Sequence, residues 1–383
     1  TRDIERIIDT QTKLENSQKE RNIQLKAISN VLGNNIKNDE RTIDYQLKIT
    51  RTDADIQTAV DAWKLDSLAA ETTYGHISDW DTSKVTNMSR LFSNNYDNRL
   101  IDKFNEDISN WDTSNVTNME YMFLYNVKAF NQDIGKWNVS NVTNMKGMFF
   151  NATSFNKPLN NWDTSKVTDM SYMFHNYAGP DGRLGISAFN QPLNNWDTSN
   201  VTDMNNMFFK AESFNGDISN WDTSNVRNMQ QVFWQASAFN QDISNWDTSN
   251  VTDMRGMFLN AEKFNRPLNK RKVTVGTKIY EAWDTSNVTN MADMFSYTLE
   301  FNMDISNWDT SSVKNMRGMF RSATSFNQPL NNWNVCNVTS HLDFNTDATA
   351  LDLSYIPKFG DNMKCDGGNP GPAYFNQQIK EAV

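Results

Sequence analysis

The stretch WDTSNVTNM at residues 111–119 returns along most of the chain with small changes: WDTSKVTNM at 80–88, WDTSKVTDM at 162–170, WDTSNVRNM at 221–229 and WDTSSVKNM at 308–316. The tryptophans opening these words are Trp80, Trp111, Trp137, Trp162, Trp196, Trp221, Trp246, Trp283, Trp308 and Trp333. Their spacings are 31, 26, 25, 34, 25, 25, 37, 25 and 25, so the unit is 25 residues and four units carry insertions of 6, 1, 9 and 12. With Trp counted as zero, Val stands at +5, Met at +8 in nine units, Met, Leu or Val at +11, Phe at +12, Phe-Asn at +18/+19 and Ile or Leu at +22. A fixed period of this length marks a repeat architecture.

Apolar residues at +8, +11, +12 and usually +15 follow the spacing of one helix face, which predicts about two helical turns per unit. Thr at +6 or Asn/Asp at +7 is suited to the N-cap. Residues +22 to +25 read as a short extended rung. Proline at +21 in four units (Pro158, Pro192, Pro267, Pro329) has no N–H to give, so pairing is expected to begin after it. One unit has too few apolar side chains to offset the entropy of ordering its backbone. Burial against a neighbour on each side closes that gap. The expected fold is therefore a repeat solenoid, right-handed, over residues 80–340, with a short strand and a short helix per unit.

The polar constants fit stacking. Asn at +19, from Asn105 to Asn327, both donates and accepts and can satisfy backbone groups unit after unit. Asp+1, Thr+2 and Ser+3 suit a second corner. A calcium ladder would need Gly-rich turns and more than one carboxylate per corner, so no metal is assigned.

Units reading W-D-T-S-N-V-T-N-M-x-x-M-F-x-x-A-x-x-F-N-x-D-I-S-N closely resemble the BspA-like leucine-rich-repeat surface proteins, including their mycoplasma-type repeat of about 25 residues. The match runs from Trp80 to Val338. The resemblance implies a leucine-rich-repeat-like solenoid displayed outside a cell or on a particle, where such proteins serve adhesion or protein binding. It carries over no catalytic residues.

Composition narrows the function. Met (18), Trp (12) and Phe (23) are abundant against a mean hydropathy of −0.69, which suits a narrow core with much surface. The net charge is −10, of which residues 1–62 contribute −1 (10 basic, 11 acidic) and residues 63–383, with the repeats, −9. An acidic repeat region argues against nucleic acid as a partner. No apolar window is long enough to span a membrane. The three histidines, His76, His175 and His341, occupy different repeat slots, and no nucleophile, phosphate-binding or zinc motif occurs. The expectation is a protein that is not an enzyme and takes no cofactor.

The ends differ from the repeat. In residues 1–62, Ile4, Ile7, Leu14, Leu25, Ile28 and Leu32 follow a roughly heptad spacing, and Ile36, Ile43, Leu47, Ile56, Val60 and Trp63 resume it after Gly33. Two readings stand: a coiled-coil stalk that makes the chain a homo-oligomer, or helices folded back as a cap. Residues 63–79 read as a linker or N-terminal cap, and 341–383 as an irregular C-terminal cap. In the last fifty residues Cys336 and Cys365, the only cysteines, can form one staple or remain two thiols.

Variable positions are where a solenoid keeps its function. Position +13 holds Leu124, Phe150, His175, Phe209, Trp234 and Leu259 in the middle units and Ser93, Ser296 and Arg321 toward the ends, with Tyr121 and Tyr172 nearby at +10. These residues either pack between units or form a docking stripe. The insertion at 269–282, with Lys270, Arg271 and Lys272, reads as a small basic hairpin projecting from an acidic body. The functional expectation is surface recognition or adhesion toward a protein or glycan. The alternative is a structural component, cement or spacer, contacting neighbouring subunits of an assembly such as a virion or cell-surface layer.

Overall fold

The computed structural model describes residues 23–24, 49–93, 104–124, 129–177 and 185–360. Nine parallel bridges join the ten repeat units in chain order, from Asn87↔Asn118 to Asn315↔Ser340. Every bridging residue is the one at +7, so each unit contributes a single rung residue just before its Met+8.

The helix expected over +8 to +15 is absent, and the backbone hydrogen bonds say why. In the unit of Trp111, the N–H groups of Met119, Tyr121 and Phe123 (+8, +10, +12) donate to the next unit's Asn144, Lys146 and Met148 carbonyls, at 3.0, 2.7 and 2.9 Å. The N–H groups between them turn inward: Met122 donates to Met119 O and Leu124 to Tyr121 O, while Glu120 N–H is taken by the Asn118 side chain. From Trp137 onward the same alternation reaches +14, as in Asn151 N–H to His175 O. A helix would keep all these donors within the unit. Here half of them bind the neighbour.

Alternation requires left-handed backbone. Position +10 has φ between 51° and 59° in all ten units, and +14 has φ of 54–60° in seven. The apolar pattern was therefore read correctly as one inward face but assigned to the wrong element. Consecutive turns place +8, +11, +12 and +15 inward just as a helix would. The extended rung expected near +22 is likewise a turn, closed by the Trp N–H on the +22 carbonyl of the preceding stretch (Trp111 to Ile108, 3.1 Å).

The core is a set of columns running through the stack. Phe+12 rings lie parallel at 5.4–5.7 Å from Phe92 to Phe320. Phe+18 rings follow at 5.7–6.1 Å from Phe104 to Phe326. Val+5 and Met+8 are fully buried between these columns from Val85 to Met316. The Asn+19 side chains form the ladder their chemistry suggested: each Oδ1 accepts the next Asn N–H at 2.8–3.1 Å, from Asn105–Asn131 through Asn302–Asn327. Thr+2 hydroxyls donate to the following unit's +1 carbonyl, as Thr113 does to Asn138 O at 2.9 Å.

A cap of two helices closes the first unit. Strand β1 (Thr50–Thr52) pairs in parallel with β2 (Asp81–Lys84). Helix α1 (Ile56–Leu65) buries Ile56, Ala59, Val60 and Trp63, one face at i, i+3, i+4, i+7. It ends at Asp66, whose side chain accepts Ala69 N–H and caps α2 (Ser67–Tyr74). Gly75 ends α2 at φ +75°, where a Cβ would lie 2.6 Å from Ile49 Cγ2. Asp53 takes the place of a preceding unit by accepting the Thr86 and Asn87 N–H groups at 2.8 and 3.1 Å. Burial alone would raise the Asp53 pKa, but the bond donated by the Thr86 hydroxyl, together with these two N–H bonds, outweighs it and holds the carboxyl below its usual range. Arg51 is fully buried, paired with Asp55 at 2.7 Å and laid over the Tyr74 and Trp80 rings.

Two boundaries move. The division at residue 62 falls inside α1, so Ile56, Val60 and Trp63 belong to the cap rather than to a stalk. At the other end the repeat continues past 340: Phe320 N–H reaches Phe344 O, and Asp352 N–H continues the Asn ladder onto Asn327 at 3.0 Å. The stalk residues Ile4 to Leu47, and residues 361–383 with Cys365, lie outside the described residues. Cys336 is disulfide-bonded.

Phe233 stacks on Phe208, Phe258 and Phe239 and is fully buried. Phe233→Ala is expected to lower stability by about 3–5 kcal/mol. Asn240→Ala, which leaves only the Asn265 N–H without its acceptor, is expected to cost about 1 kcal/mol. Urea titration of the two variants checks the ratio.

Candidate interaction surface

The repeat constants are committed to the stack, so a surface must come from side chains that differ between units. One edge gathers them. Left-handed backbone at +10 leans each +10 side chain over the next unit's +10 residue. Where that residue is Gly147, a Cβ would meet the Tyr121 ring at 2.2 Å, so glycine leaves room for the ring. Arg90 lies over Tyr121 at 4.8 Å and Lys146 over Tyr172 at 5.8 Å. Burial and the Glu120 charge push the Tyr121 phenol pKa up. Both tyrosines remain partly exposed.

Position +13 runs beside this row, and its members divide. Leu124, Phe150 and Phe209 are buried, at 7–8% exposure. They fill gaps between units and offer little to a partner, which corrects the docking-stripe reading at these three positions. The cause is crowding: Phe150 sits 6.3 Å from Tyr121 and 6.4 Å from Tyr172, with both rings on it. Trp234 and Leu259 are partly exposed, and Tyr297 is 43% exposed with Arg321 over its ring at 5.8 Å.

The hairpin formed by β3 (Arg271–Val275) and β4 (Lys278–Ala282) is antiparallel, as expected, but it does not project freely. Val273 is buried and Tyr280 donates its hydroxyl to Asn245 O at 2.6 Å. Arg271 donates to Ser244 Oγ and Asn245 Oδ1 at 2.8 and 2.7 Å. Lys270 pairs with Asp284 at 3.1 Å, and Lys278 with Asp222 at 3.1 Å. Of the three basic candidates, Arg271 holds the hairpin to the preceding unit and Lys270 to the following one, while Lys272 is exposed. Thr274 and Ile279 share its outward face.

Among the described residues no group of His, Cys, Asp and Glu could hold a metal ion, and no helix is long and apolar enough to cross a membrane.

His175 was visible in the sequence as the one polar member of the middle units at +13, but its burial was not. It occupies +13 between Phe150 and Phe209, its ring stacked on theirs at 4.3 and 4.4 Å. It is 7% exposed, and Nδ1 has no hydrogen-bond partner. The only signal was its place in an otherwise apolar series. Burial, and secondarily the Lys210 charge, lower its pKa to about 3. The imidazole is thus neutral in the fold but protonates in the unfolded chain below about pH 6.5. Stability is unaffected above that pH and falls below it by about 1.4 kcal/mol per pH unit. Between pH 7 and pH 5 the loss from this residue is expected to be about 2 kcal/mol. His341, also lowered by burial, acts in the same direction. His175→Phe should remove the larger part of this slope, as measured by urea midpoints at the two pH values.

No curated protein and no solved structure matches the chain. A family model described as "Mycoplasma protein of unknown function, DUF285" matches three overlapping stretches, 64–186, 183–281 and 274–359, which together take in α2 and all ten units. The chain belongs to that DUF285 repeat family.

Proposed function

We propose that this chain is a non-enzymatic recognition protein of the BspA-like kind, a right-handed leucine-rich-repeat-like solenoid displayed extracellularly on a cell or particle surface. It binds a protein or glycan partner along the +10/+13 edge, and the part of residues 1–62 that precedes the cap joins copies into a homo-oligomer. One observation carries this reading. The repeated polar residues are engaged in bonds between units, while Tyr121, Tyr172, Trp234, Leu259 and Tyr297 collect, partly exposed, on a single edge with cations beside them. Aromatic residues ringed by charge are the composition of binding hot spots.

The fluorescently labelled full chain, applied to cultured cells, tests the proposal. Binding is expected to fall at least tenfold for the Trp234→Ser/Tyr297→Ser double variant, whose melting temperature stays close to that of the parent. Phe150→Ser, by contrast, should mainly lower the melting temperature. Prior treatment of the cells with protease or with glycosidase separates a protein partner from a glycan. Undiminished binding by the double variant would move the site elsewhere. Absence of cell binding together with ordered lattices of the purified chain would favour the structural-component reading.

A further inference from the structure

Charge and exposure coincide in one stretch of the solenoid. Over positions +6 to +14, the five units from Trp80 to Trp196 carry three cations against three carboxylates. The next four units, from Trp221 to Trp308, carry five against two: Arg227, Arg255, Lys314, Arg317 and Arg321 against Asp253 and Asp293. This positive strip stands on a chain whose net charge is −10. Both of its carboxylates are engaged within the stack. Asp253 accepts the Arg255 N–H at 2.8 Å and the Asn290 amide at 3.2 Å, and Asp293 faces Arg321 at 3.4 Å. Arg227, Arg255, Lys314 and Arg317 are exposed and join no ion pair among the described residues.

Among the described residues, the same four units alone leave apolar side chains at +13 or +14 uncovered, namely Trp234, Leu259 and Tyr297. Rungs of a parallel ladder lie about 4.8 Å apart, so the three steps from Arg227 to Arg317 spread the cations over roughly 14 Å. Beside them the side-chain amides of Gln230, Gln231 and Asn260 are partly exposed and bond no described residue.

A ligand of this strip must match three chemistries at once. Its anions must meet cations one or two rungs apart. Its polar groups must suit carboxamides, which both donate and accept. A flat apolar face must lie on an indole or a phenol. Three apolar side chains interrupted by amides fall short of the apolar centre of a protein interface, which buries about 800 Å² on each partner. A sugar that carries a carboxylate beside its hydroxyls satisfies all three.

We propose that the strip from Arg227 to Arg321 binds a carboxylated glycan. Its carboxylates pair with Arg255 and Arg317, its hydroxyls bond Gln230 and Gln231, and one sugar ring lies on Trp234. The proposal rests on the recognition reading above and names the ligand class of that edge.

Binding of the full chain to immobilised polygalacturonate and polysialic acid tests this, with dextran as the neutral glycan and polyglutamate as an anion without sugar. At least one carboxylated glycan is expected to bind at least tenfold more tightly than dextran or polyglutamate, and to weaken as salt screens the charges. Arg255→Gln/Arg317→Gln should lower that affinity at least tenfold and Trp234→Ser at least fivefold, with melting temperatures close to the parent's. Lys84→Gln/Lys166→Gln, which removes equal charge from another corner, should leave it intact. The proposal is overturned if neither carboxylated glycan binds, if polyglutamate binds as tightly with Trp234→Ser silent, or if the arginine variant binds like the parent. Tighter binding to heparin than to both would overturn it in favour of sulfate. Protease-sensitive cell binding that Trp234→Ser/Tyr297→Ser removes and Arg255→Gln/Arg317→Gln leaves intact would overturn the glycan while keeping the recognition reading. Absence of cell binding by the parent would remove that reading itself.

Discussion

Half of the amide hydrogens in each unit's turn segment have no acceptor inside that unit. This one fact governs the molecule. Buried N–H groups must be paired, so a unit at +8, +10, +12 and +14 is incomplete until the next unit supplies carbonyls from +7, +9, +11 and +13. The left-handed residues at +10 and +14 are the local cost, about 1–2 kcal/mol each for residues with a β-carbon, and the stack offsets it through a bond and a buried face at each step. Ends then become the difficult places. The N-terminal cap solves its end with β1 and Asp53, which present to the first unit what a preceding unit would have presented.

The same constraint explains what was legible in the sequence. Trp, Val+5, Met+8, the two Phe columns and Asn+19 were readable because their roles depend on repetition, and repetition is visible in letters. The turn segment was misread as helix because +8, +11, +12 and +15 point inward in either conformation. Its left-handed positions would have given the answer, but they are occupied by Arg90, Tyr121, Asn206, Gln231 and Asp293 as well as by three glycines. No residue type marks them.

The candidate surface was legible in position but not in exposure. Whether a +13 side chain is covered depends on the volume of the residues at +10 and +13 in adjoining units. Phe150 is enclosed by two tyrosines and a histidine, whereas Trp234 has Phe209 on one side and remains partly exposed. The hairpin was recognisable from Val273 and Val275 on one side of Gly276-Thr277 and Ile279 and Tyr280 on the other. That its charges would fold back onto Asp222, Ser244, Asn245 and Asp284 depends on corners brought close by stacking, which no local window contains.

Trp246 is the one buried indole among the described units whose Nε1 finds no acceptor. Its equivalents donate to the +22 carbonyl two units back, as Trp221 does to Leu193 O and Trp283 to Ile243 O, both at 2.9 Å. Bonds between successive units act in series, so a tensile load applied at the two ends passes through every interface and rupture begins at the weakest. The interface behind Trp246 lacks one link. The hairpin crosses that same junction, with Lys278 on Asp222 and Tyr280 and Arg271 on Asn245, and so acts as a splint over the weak joint. An insertion that looks decorative in the sequence would thereby decide where a stretched molecule parts.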